Sequence, residues 1–381
     1  MMYINRILDL KQLIEKKSHF LFGPRATGKS SLIEHQLAND CLLIDLLHSE
    51  TYLRLIENPS ALEAMIAVTE KKWVVLDEVQ RVPEILNEVH RLIEKKGITF
   101  LLTGSSARKL KKQSVNLLAG RARQAELYPL TYHELPNFNL ASYLQYGGLP
   151  MVVLSHEPAE DLDAYVYTYL EQEIKAEALV QKLPAFSKFL QLSALTSGNT
   201  LNYASIASDA GVSAMTLREY YQILEDTFLG FTLLPWQHST KRKAVTTGRF
   251  YYFDTGVKNR LAQISSIPEQ SDLYGQAFEH FIAMELRAYL SYTRKKLPLC
   301  FWRTVEGVEV DFIIGDDIAI EIKSTQKISD KHLKTLKRLQ EENKLKAYYL
   351  ISRDSVAMKK GDIFILPWET FLKKLWDGEV I

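Results

Sequence analysis

Cysteine is scarce in this chain of 381 residues, and long apolar runs are missing. The two cysteines, Cys41 and Cys300, lie far apart in apolar segments, which excludes a disulfide framework and a cysteine-ligated zinc site. The nine histidines show no metal-ligand spacing. Because no run of about 18 apolar residues occurs, no membrane span is expected. These absences favour a reducing, cytoplasmic location.

The net charge is only +1, because 47 Lys and Arg residues are nearly balanced by 46 Asp and Glu residues. No overall field would draw the chain onto nucleic acid, so any such binding must come from local patches. The N-terminal segment MMYINRILDLKQLIEKK mixes charged and apolar residues and is unlike a signal peptide. The length allows two or three domains.

The clearest motif lies in residues 20–31, FLFGPRATGKSS, which contain G-x-x-x-x-G-K-[ST] between a predicted strand and a predicted helix. Gly23 and Gly28 allow a loop whose N–H groups surround phosphates, and the helix N-terminus adds partial positive charge. Lys29 would reach the β- and γ-phosphates of ATP, and Ser30 would bind Mg²⁺. The predicted nucleotide-binding residues are Gly23, Pro24, Arg25, Ala26, Thr27, Gly28, Lys29, Ser30, Ser31, Asp77 and Ser105.

Three further apolar runs follow, at residues 42–44, 73–76 and 98–102, with helical patterns between them. Continuous apolar strands alternating with helices predict an α/β domain with a parallel sheet covered on both faces. Ligands bind such sheets at the carboxyl ends of the strands. Polar residues follow each run, so we expect them to line the nucleotide site.

Asp77 and Glu78, after the third strand, are typical of a Walker B element, although surface acids could also end a strand. Asp77 would hold Mg²⁺, and Glu78 would activate the attacking water. Thr103 and Ser105 end the next strand, where a polar side chain could sense the γ-phosphate; both residue types are also common in turns.

Arginines could supply positive charge to the transferred phosphoryl group, in this subunit or in a neighbouring one. Arg121 and Arg123 are candidates, with surface charge as the alternative. Arg25 and Arg81 are further candidates that the sequence does not rank.

Residues 139–255 form the second predicted region, which is helical up to about Gln191 and then contains a helix-turn-helix pattern. The pattern comprises helices at residues 203–210 and 214–224 around a Gly211-Val212-Ser213 turn, and residues 232–253 would form a wing. Such winged-helix modules bind DNA, but they also serve as lids of ATPases and as protein-contact surfaces. In the DNA-binding interpretation the contacting residues are Thr216, Arg218, Tyr221, Lys241, Arg242, Lys243 and Arg249.

Residues 256–381 contain a predicted hairpin, with strands at 308–314 and 318–324 around a Gly315-Asp316-Asp317 turn. Its alternation predicts that Val308, Val310, Phe312 and Ile314 share one face, and that Asp311, Glu321 and Lys323 meet on the other. This D…E-x-K pattern is the signature of restriction-endonuclease-like nucleases. An ordinary amphipathic hairpin would also carry charges on its outer face.

In the nuclease interpretation two carboxylates bind Mg²⁺ and the lysine orients the nucleophile. Glu279, on a predicted helix, would add a carboxylate, and Glu309 could equally take a metal role. The predicted catalytic residues of the chain are Glu78, Glu321 and Lys323. The predicted metal ligands are Ser30, Asp77, Glu279, Asp311 and Glu321.

The motifs GPRATGKS, VVLDEVQRVP, FLLTGSS and LAGRARQAELYPLTYHEL occur in order. Together they resemble the AAA-superfamily ATPase domain of prokaryotic proteins in which the ATPase is fused to a C-terminal restriction-endonuclease-like domain of unknown function. The resemblance implies an ATPase domain at residues 1–138, a Mg²⁺-dependent nuclease-like domain at 256–381, and action on DNA.

Two alternatives remain open at the level of the sequence. One is an ATP-controlled DNA-binding switch whose nuclease-like fold only binds. The other is an ATPase whose later domains recognise a partner protein or a second copy of the chain.

Overall fold

Two β-sheets organise the chain, one within residues 18–126 and one within residues 230–367. The computed structural model describes residues 3–108, 110, 118, 120–170, 183–342 and 344–381. Among the described helices, none is both long enough and apolar enough to cross a bilayer.

The first sheet has five parallel strands in the order β2-β3-β4-β1-β5. The strands are β1 Ser18–Phe22, β2 Cys41–Asp45, β3 Trp73–Asp77, β4 Thr99–Gly104 and β5 Ala122–Glu126. Strands β1 and β3 are buried at every position, as the continuous apolar runs predicted. The α/β parallel sheet expected in this region is therefore confirmed.

Helices cover both faces of this sheet, and two apolar cores result. The helices are α1 Leu10–Lys16, α2 Lys29–Leu37, α3 Ser49–Glu57, α4 Ala61–Ala67 and α5 Ile85–Lys96. Helices α1 and α2 pack on one face, around Leu21 and Val75. Helix α5 packs on the other face, around Phe20 and Leu76. Because the carboxyl ends of all five strands point one way, the loops that follow them share one edge of the sheet.

The stretch predicted as helical, from residue 140 to about 191, is largely helical where the structure describes it; residues 171–182 lie outside the described residues. The helices of the middle region are α6 Leu140–Tyr146, α7 Pro150–Val153, α8 Pro158–Ala164 with a π-helical continuation Tyr165–Leu170, α9 Leu183–Leu195, α10 Tyr203–Ala210, α11 Ala214–Asp226 and α12 Thr255–Leu261. Gly211 ends α10 with φ +70°, and the Ser213 side chain accepts a hydrogen bond from the N–H of Thr216. The predicted helix–turn–helix is therefore confirmed as local structure.

A buried carboxylate joins two parts of this region. Asp254 caps α12 by accepting from the N–H of Val257 at 3.0 Å, and it also accepts from the N–H of Gly148 at 2.8 Å. Burial raises the pKa of Asp254 to about 6. Gly147 has φ +79°, and a Cβ at that position would lie 2.0 Å from Asp254 Oδ1. Glycine is therefore required here by both conformation and space.

Gly147→Ala is expected to lower the free energy of unfolding by about 2–4 kcal/mol, because the added methyl group collides with Asp254 at a left-handed backbone position. The matched control is Gly97→Ala, since Gly97 has φ +65° and nothing lies within 4 Å of its built Cβ. The control should lose only about 1 kcal/mol. Denaturant titration of both variants checks this, and equal losses would show that the Asp254 contact is not responsible.

The second sheet has eight strands in the order β12-β13-β11-β10-β9-β8-β6-β7. The strands are β6 Gly230–Pro235, β7 Arg249–Tyr252, β8 Leu299–Arg303, β9 Glu309–Ile314, β10 Ile318–Lys323, β11 Ala347–Ser352, β12 Met358–Lys360 and β13 Ile363–Pro367. The predicted β9–β10 hairpin is present and antiparallel. Strands β6 and β7, predicted as a wing, pair with each other and join this sheet through β6 and β8. The sheet therefore crosses the boundary predicted after residue 255.

Three helices cover this sheet: α13 Asp272–Tyr292, α14 Lys334–Gln340 and α15 Trp368–Trp376. Helices α13 and α15 share a core that contains Phe312, whereas the leucines of α14 pack with Val310. The predicted single face containing both residues is therefore wrong. The reason is a register shift between β8 and β9, where Cys300 is opposite Ile313 but Trp302 is opposite Val310. This β-bulge inserts one extra residue into β9. Side chains before and after the bulge that would have shared one face of the sheet therefore point to opposite faces.

Candidate functional site

The loop after β1 has the backbone shape that the glycine spacing predicted. Gly23 has φ +151°, and a Cβ there would lie 2.4 Å from the carbonyl oxygen of Leu127. Gly28 has φ +93° and stands at the N-cap of α2. Ala26 also has a positive φ, +60°, which is costly for a residue with a side chain. The loop is thus held in a strained conformation directly before a helix N-terminus.

Lys29 folds back onto this loop. Its Nζ donates to the carbonyl oxygens of Gly23 at 2.7 Å and Pro24 at 3.0 Å. The Thr27 hydroxyl also donates to Pro24 O, at 2.9 Å. The buried ammonium is therefore held close to the loop by neutral acceptors.

Asp77 lies at the end of β3, facing the start of α2. The Ser30 hydroxyl donates to its Oδ2 at 3.1 Å, and the Thr103 hydroxyl donates to its Oδ1. Burial raises the pKa of Asp77, while the hydrogen bonds from Thr103 and Ser30 oppose that rise. The structure thus brings together Ser30 and Asp77, which were predicted as Mg²⁺ ligands.

Glu78 follows Asp77 with a left-handed backbone, φ +60°. Its Oε2 accepts hydrogen bonds from the Ser105 hydroxyl at 3.1 Å and from the Gln80 amide. Gln80 also donates to Ser105 Oγ at 3.2 Å, so the three side chains form one network. Sequence reasoning missed Gln80, because nothing in its spacing distinguishes it from a surface residue.

A cleft of about 350 Å³ opens beside these residues, within the size range of small-molecule sites. Its lining is Arg25, Ala26, Gly28, Lys29, Ser30, Ser31, Leu47, Glu78, Met151 and Tyr165. Met151 and Tyr165 come from the middle region, and the Tyr165 hydroxyl donates to Arg25 O at 3.4 Å. Sequence reasoning missed both residues, since they lie more than 100 positions from the loop.

The arginine candidates occupy different places. Arg121 and Arg123 lie at the amino end of β5, at the opposite end of the sheet from the loop, and Arg121 forms an ion pair with Glu94. The prediction that they act on this chain's own nucleotide is therefore wrong. Arg81 donates to Leu46 O at 2.8 Å. Arg25 is the candidate that lines the cleft.

Arg6 connects the loop to distant parts of the chain. Its Nη1 donates to Thr27 O at 2.7 Å, and its Nη2 donates to Tyr128 O at 2.5 Å and to the Tyr292 hydroxyl at 3.3 Å. Its Nε donates to the buried carboxylate of Glu134 at 3.0 Å. The guanidinium thus joins the loop, the segment after β5 and the last residue of α13.

The second candidate site lies where the β9–β10 pairing ends. Asp311 sits on the β9 bulge, and its Oδ2 accepts from the N–H of Ile322 at 2.7 Å. Lys323 Nζ donates to Glu321 Oε1 at 2.7 Å. Glu321 Oε2 is buried and has no hydrogen bond of good geometry, but the Thr335 hydroxyl on α14 lies close enough to act on the Glu321 carboxylate and to oppose the rise of its pKa. The predicted trio of Asp311, Glu321 and Lys323 is therefore assembled around a buried carboxylate.

Glu279 reaches this site from α13. It accepts from the Tyr251 hydroxyl at 2.6 Å, and Arg249 Nη1 lies 3.7 Å from the same oxygen. Glu309, the alternative metal ligand, forms ion pairs with both Arg249 and Arg303. Because these guanidinium groups neutralise Glu309, Glu279 is the better placed of the two for a ligand role.

The electrostatics show that the site carries excess negative charge. Burial, and then the charge of Asp311, raises the pKa of Glu279 to about 8 and that of Glu321 to about 8. Burial also raises the pKa of Asp311. For Lys323, burial acts to lower the pKa, but Asp311 and Glu321 outweigh it and the pKa is raised. Protons or another cation must therefore compensate these carboxylates near neutral pH.

In the described part of the chain, no three Asp, Glu, His or Cys side chains are positioned to bind one metal ion together. The carboxylates are coupled through their charges, but they are not arranged as a closed set. Chemically the residues still fit a hard cation, since Asp311 and Glu321 offer buried carboxylate oxygens and Glu279 a partly buried one, and the charge of Asp311 repels the other two.

The predicted DNA-contacting residues divide into two groups. Arg218 is exposed on α11, but Tyr221 is only 3% exposed, so the prediction of a DNA contact by Tyr221 is wrong. The prediction that Arg249 contacts phosphate is likewise wrong, because Arg249 is only 2% exposed. It is buried because β7 belongs to the large sheet. Arg242 forms ion pairs with acidic residues at the end of α14.

Comparison with known families divides the chain into three parts. Residues 15–136 match a family described as AAA domain. Residues 137–267 match a domain of unknown function, DUF8612, and residues 274–371 match another, DUF4143. The AAA match indicates a P-loop ATPase domain, for which nucleotide binding, typically with Mg²⁺, is implied.

The similar proteins are prokaryotic and uncharacterized. One from Mycobacterium tuberculosis is 26% identical over 317 residues, covering 80% of this chain and 70% of the relative. One from Methanocaldococcus jannaschii is 26% identical over 425 residues, covering 96% and 85%. One from Haemophilus influenzae is 23% identical over 352 residues, covering 81% and 83%. The similarity extends beyond the AAA domain, so the relatives share a multi-part organisation with this chain.

Proposed function

We propose that this chain hydrolyses ATP in its AAA domain and acts on DNA through a Mg²⁺-dependent, nuclease-like C-terminal domain. The observation that carries the proposal is the meeting of the buried carboxylates of Asp311 and Glu321 with Lys323, with Glu279 coupled to Asp311 by charge. Burying several carboxylates together is costly unless a cation offsets them, which supports a functional rather than an incidental cluster.

In the AAA domain, Lys29 would exchange its two carbonyl acceptors for the phosphates of ATP. Ser30 and Asp77 would hold Mg²⁺, which supplies charge neutralisation at the phosphates. Glu78, held by Gln80 and Ser105, would accept the proton of the attacking water.

In the C-terminal domain, Asp311 and Glu321 would hold Mg²⁺, with Glu279 in support. The bound ion would stabilise charge on the phosphate and lower the pKa of water. Lys323 Nζ lies 2.7 Å from Glu321 Oε1. Lys323 would orient the nucleophile or neutralise the developing charge.

The middle region supports DNA contact in a limited way. Helices α9, α10 and α11 are followed by the β6–β7 pair, and Thr200 forms an isolated bridge with Arg249 of β7. This order of elements supports a winged-helix module. The exposed Arg218 lies on its second helix, where DNA contacts would be expected.

A second candidate function is an ATP-controlled DNA-binding switch whose nuclease-like fold is silent. It is favoured by the internal ion pairs among Arg249, Glu279 and Glu309, since a purely structural site would also neutralise its acids in this way.

Incubation of the purified protein with single-stranded, duplex and branched DNA distinguishes the two candidates. Each DNA is tested with Mg²⁺ or Mn²⁺, and with and without ATP. Metal-dependent cleavage supports the nuclease proposal. Binding with a steep dependence on salt but without cleavage supports the switch. Neither cleavage nor binding would indicate a protein-interaction ATPase.

Stability should depend on pH and metal in a way that only a cation site predicts. The raised pKa values mean that the native carboxyls bind protons more tightly than the unfolded ones. The contribution of the Glu279 and Glu321 carboxyls to the stability of the metal-free protein is therefore fully present below about pH 4.5 and is lost as pH rises to about 8. Mg²⁺ should stabilise the protein by about 2.7 kcal/mol at 100 times its Kd, and more strongly at pH 8 than at pH 5.5.

Thermal unfolding of wild-type protein, Asp311→Ala and Asp362→Ala checks this expectation. Asp311→Ala should lose the metal-induced shift, whereas Asp362→Ala removes an exposed carboxylate from the same domain and should keep it. Lys323→Ala should keep metal binding and lose cleavage. A shift of equal size in wild type and Asp311→Ala would place the metal elsewhere.

A further inference from the structure

A wide cleft of about 780 Å³ lies between the AAA domain and the end of α13, and the mechanisms above do not use it. Its lining comes from α1, β1, β5 and the C-terminal end of α13. The lining residues are Gln12, Leu13, Lys16, His19, Arg123, Gln124, Leu290, Ser291, Arg294, Lys295 and Lys296. Five of these are Lys or Arg side chains, and none of the lining residues is Asp or Glu. The cleft is therefore a concentrated positive surface at the amino end of the β1–β5 strand pair.

Much of this positive charge is uncompensated. The side chains of Lys16, Arg123 and Lys296 form no hydrogen bond or ion pair within the described ranges, whereas Lys295 Nζ donates to Ile381 O. Burial, followed by the charge of Arg123, lowers the pKa of Arg294. The pKa of His19 is also lowered, by burial and then by its neighbouring arginines. Like charges held together in a concave surface are a favourable setting for an anion.

Two of the side chains are held in fixed positions. Arg294 donates to Gln124 O at 2.6 Å and to His19 Nε2 at 3.0 Å. Since arginine is only a donor, His19 Nε2 must accept, and its Nδ1–H therefore donates to Lys17 O at 2.8 Å. Arg294 also has φ +58°, the left-handed conformation that commonly ends a helix, and the following N–H, of Lys295, donates to Leu290 O at 3.0 Å. The end of α13 thus places this guanidinium between the two domains.

The chemistry of the lining selects the kind of anion. The apolar residues are Leu13 and Leu290, and no Phe, Tyr or Trp is among the lining residues. The one ring, that of His19, is hydrogen-bonded by Arg294, so the cleft lacks a series of aromatic surfaces on which successive bases could stack. Arginine and lysine side chains are suited to phosphate oxygens. The ligand is therefore recognised through phosphates and not through bases.

We propose that this cleft binds successive phosphate groups of the nucleic-acid backbone, independently of sequence. The nucleic-acid source rests on the proposed function, whereas the phosphate chemistry does not, because a free inorganic polyphosphate chain offers the same groups. Arg123, unable to reach its own nucleotide, contributes here to a phosphate-binding surface.

Fluorescence anisotropy with the full-length protein tests the proposal, using labelled single-stranded and duplex oligonucleotides over a series of salt concentrations. The variant Arg123→Gln/Lys296→Gln removes two cleft charges. Its control, Arg54→Gln/Lys95→Gln, removes the same charges from exposed positions on α3 and α5. The cleft variant should bind about 10-fold more weakly, and its salt slope for single strands should fall by about 1.4, while the control stays within about twofold of wild type.

Competition with inorganic tripolyphosphate identifies the source of the phosphates, and it is run in a Lys29→Ala background to exclude binding at the ATP loop. Displacement of the oligonucleotide supports a shared phosphate site. Tripolyphosphate binding that depends on Arg123 and Lys296, without oligonucleotide binding, supports the cleft with a free polyphosphate as its ligand. Equal binding of both probes by the cleft and control variants overturns the proposal.

Unfolding midpoints show whether the double variants are folded, and Lys296→Gln alone replaces the double variant if that one is not. ATP hydrolysis and DNA cleavage are measured separately. If the wild-type protein hydrolyses ATP and cleaves DNA, but the cleft and control variants bind oligonucleotides equally well, then the cleft proposal is refuted and the proposed function stands.

Discussion

Lys29→Ala is expected to reduce ATP affinity by about 100-fold while leaving the protein folded. In the structure the Lys29 ammonium is buried and donates to two carbonyl oxygens of its own loop. Removing it leaves those carbonyls without a donor, a modest cost to stability. By contrast, the phosphates of ATP would lose a charge-assisted contact in a partly enclosed cleft.

Isothermal calorimetry with ATP and Mg²⁺ measures this effect. The control is Lys95→Ala, which removes an exposed lysine from α5. The control should bind ATP as wild type does. If Lys29→Ala binds equally well, then the loop is not the nucleotide site.

Glu78→Gln is expected to keep ATP bound but to slow hydrolysis by about 100-fold or more, because it retains the shape of the side chain and removes the proton acceptor. Ser105 can still donate to the remaining carbonyl oxygen at position 78, so the local network should largely persist. The turnover rate and the ATP affinity are therefore expected to separate in this variant.

Steady-state turnover and calorimetry on the same preparation provide the two readings. Glu57→Gln, at an exposed carboxylate on α3, controls for the loss of one negative charge. Hydrolysis at the wild-type rate in Glu78→Gln would assign the base to another residue. Loss of ATP binding would instead show that Glu78 holds the cleft together.

The AAA domain could be predicted closely because its signals are local. Strand, loop and helix follow one another within residues 18–37, and the acids after β3 stand at the same edge of a parallel sheet. The missed residues have no such local signal. Arg6 and Tyr165 reach the loop across 21 and 140 positions of sequence, so only the folded chain reveals them.

The C-terminal half shows where regular patterns mislead. The alternation of β9 predicted one apolar face, but the bulge at Asp311 divides it between two cores. At the same bulge the β9–β10 pairing ends, and the Asp311 carboxylate accepts a hydrogen bond from the N–H of Ile322. Arg249 was expected on an exposed wing, yet β7 pairs within the large sheet and holds this arginine between Glu279 and Glu309. Sequence periodicity describes a strand, but it does not say which sheet the strand joins.

The Arg6 guanidinium has a thermodynamic consequence for the whole chain. Its bonds to Thr27 and Tyr292 mean that the nucleotide loop and the end of α13 share one donor group. If either part unfolds, Arg6 loses its hydrogen bond to that part and its remaining contacts are weakened. The two parts should therefore lose structure cooperatively. A nucleotide that protects the loop would then also slow hydrogen exchange at the end of α13, although it does not touch that helix.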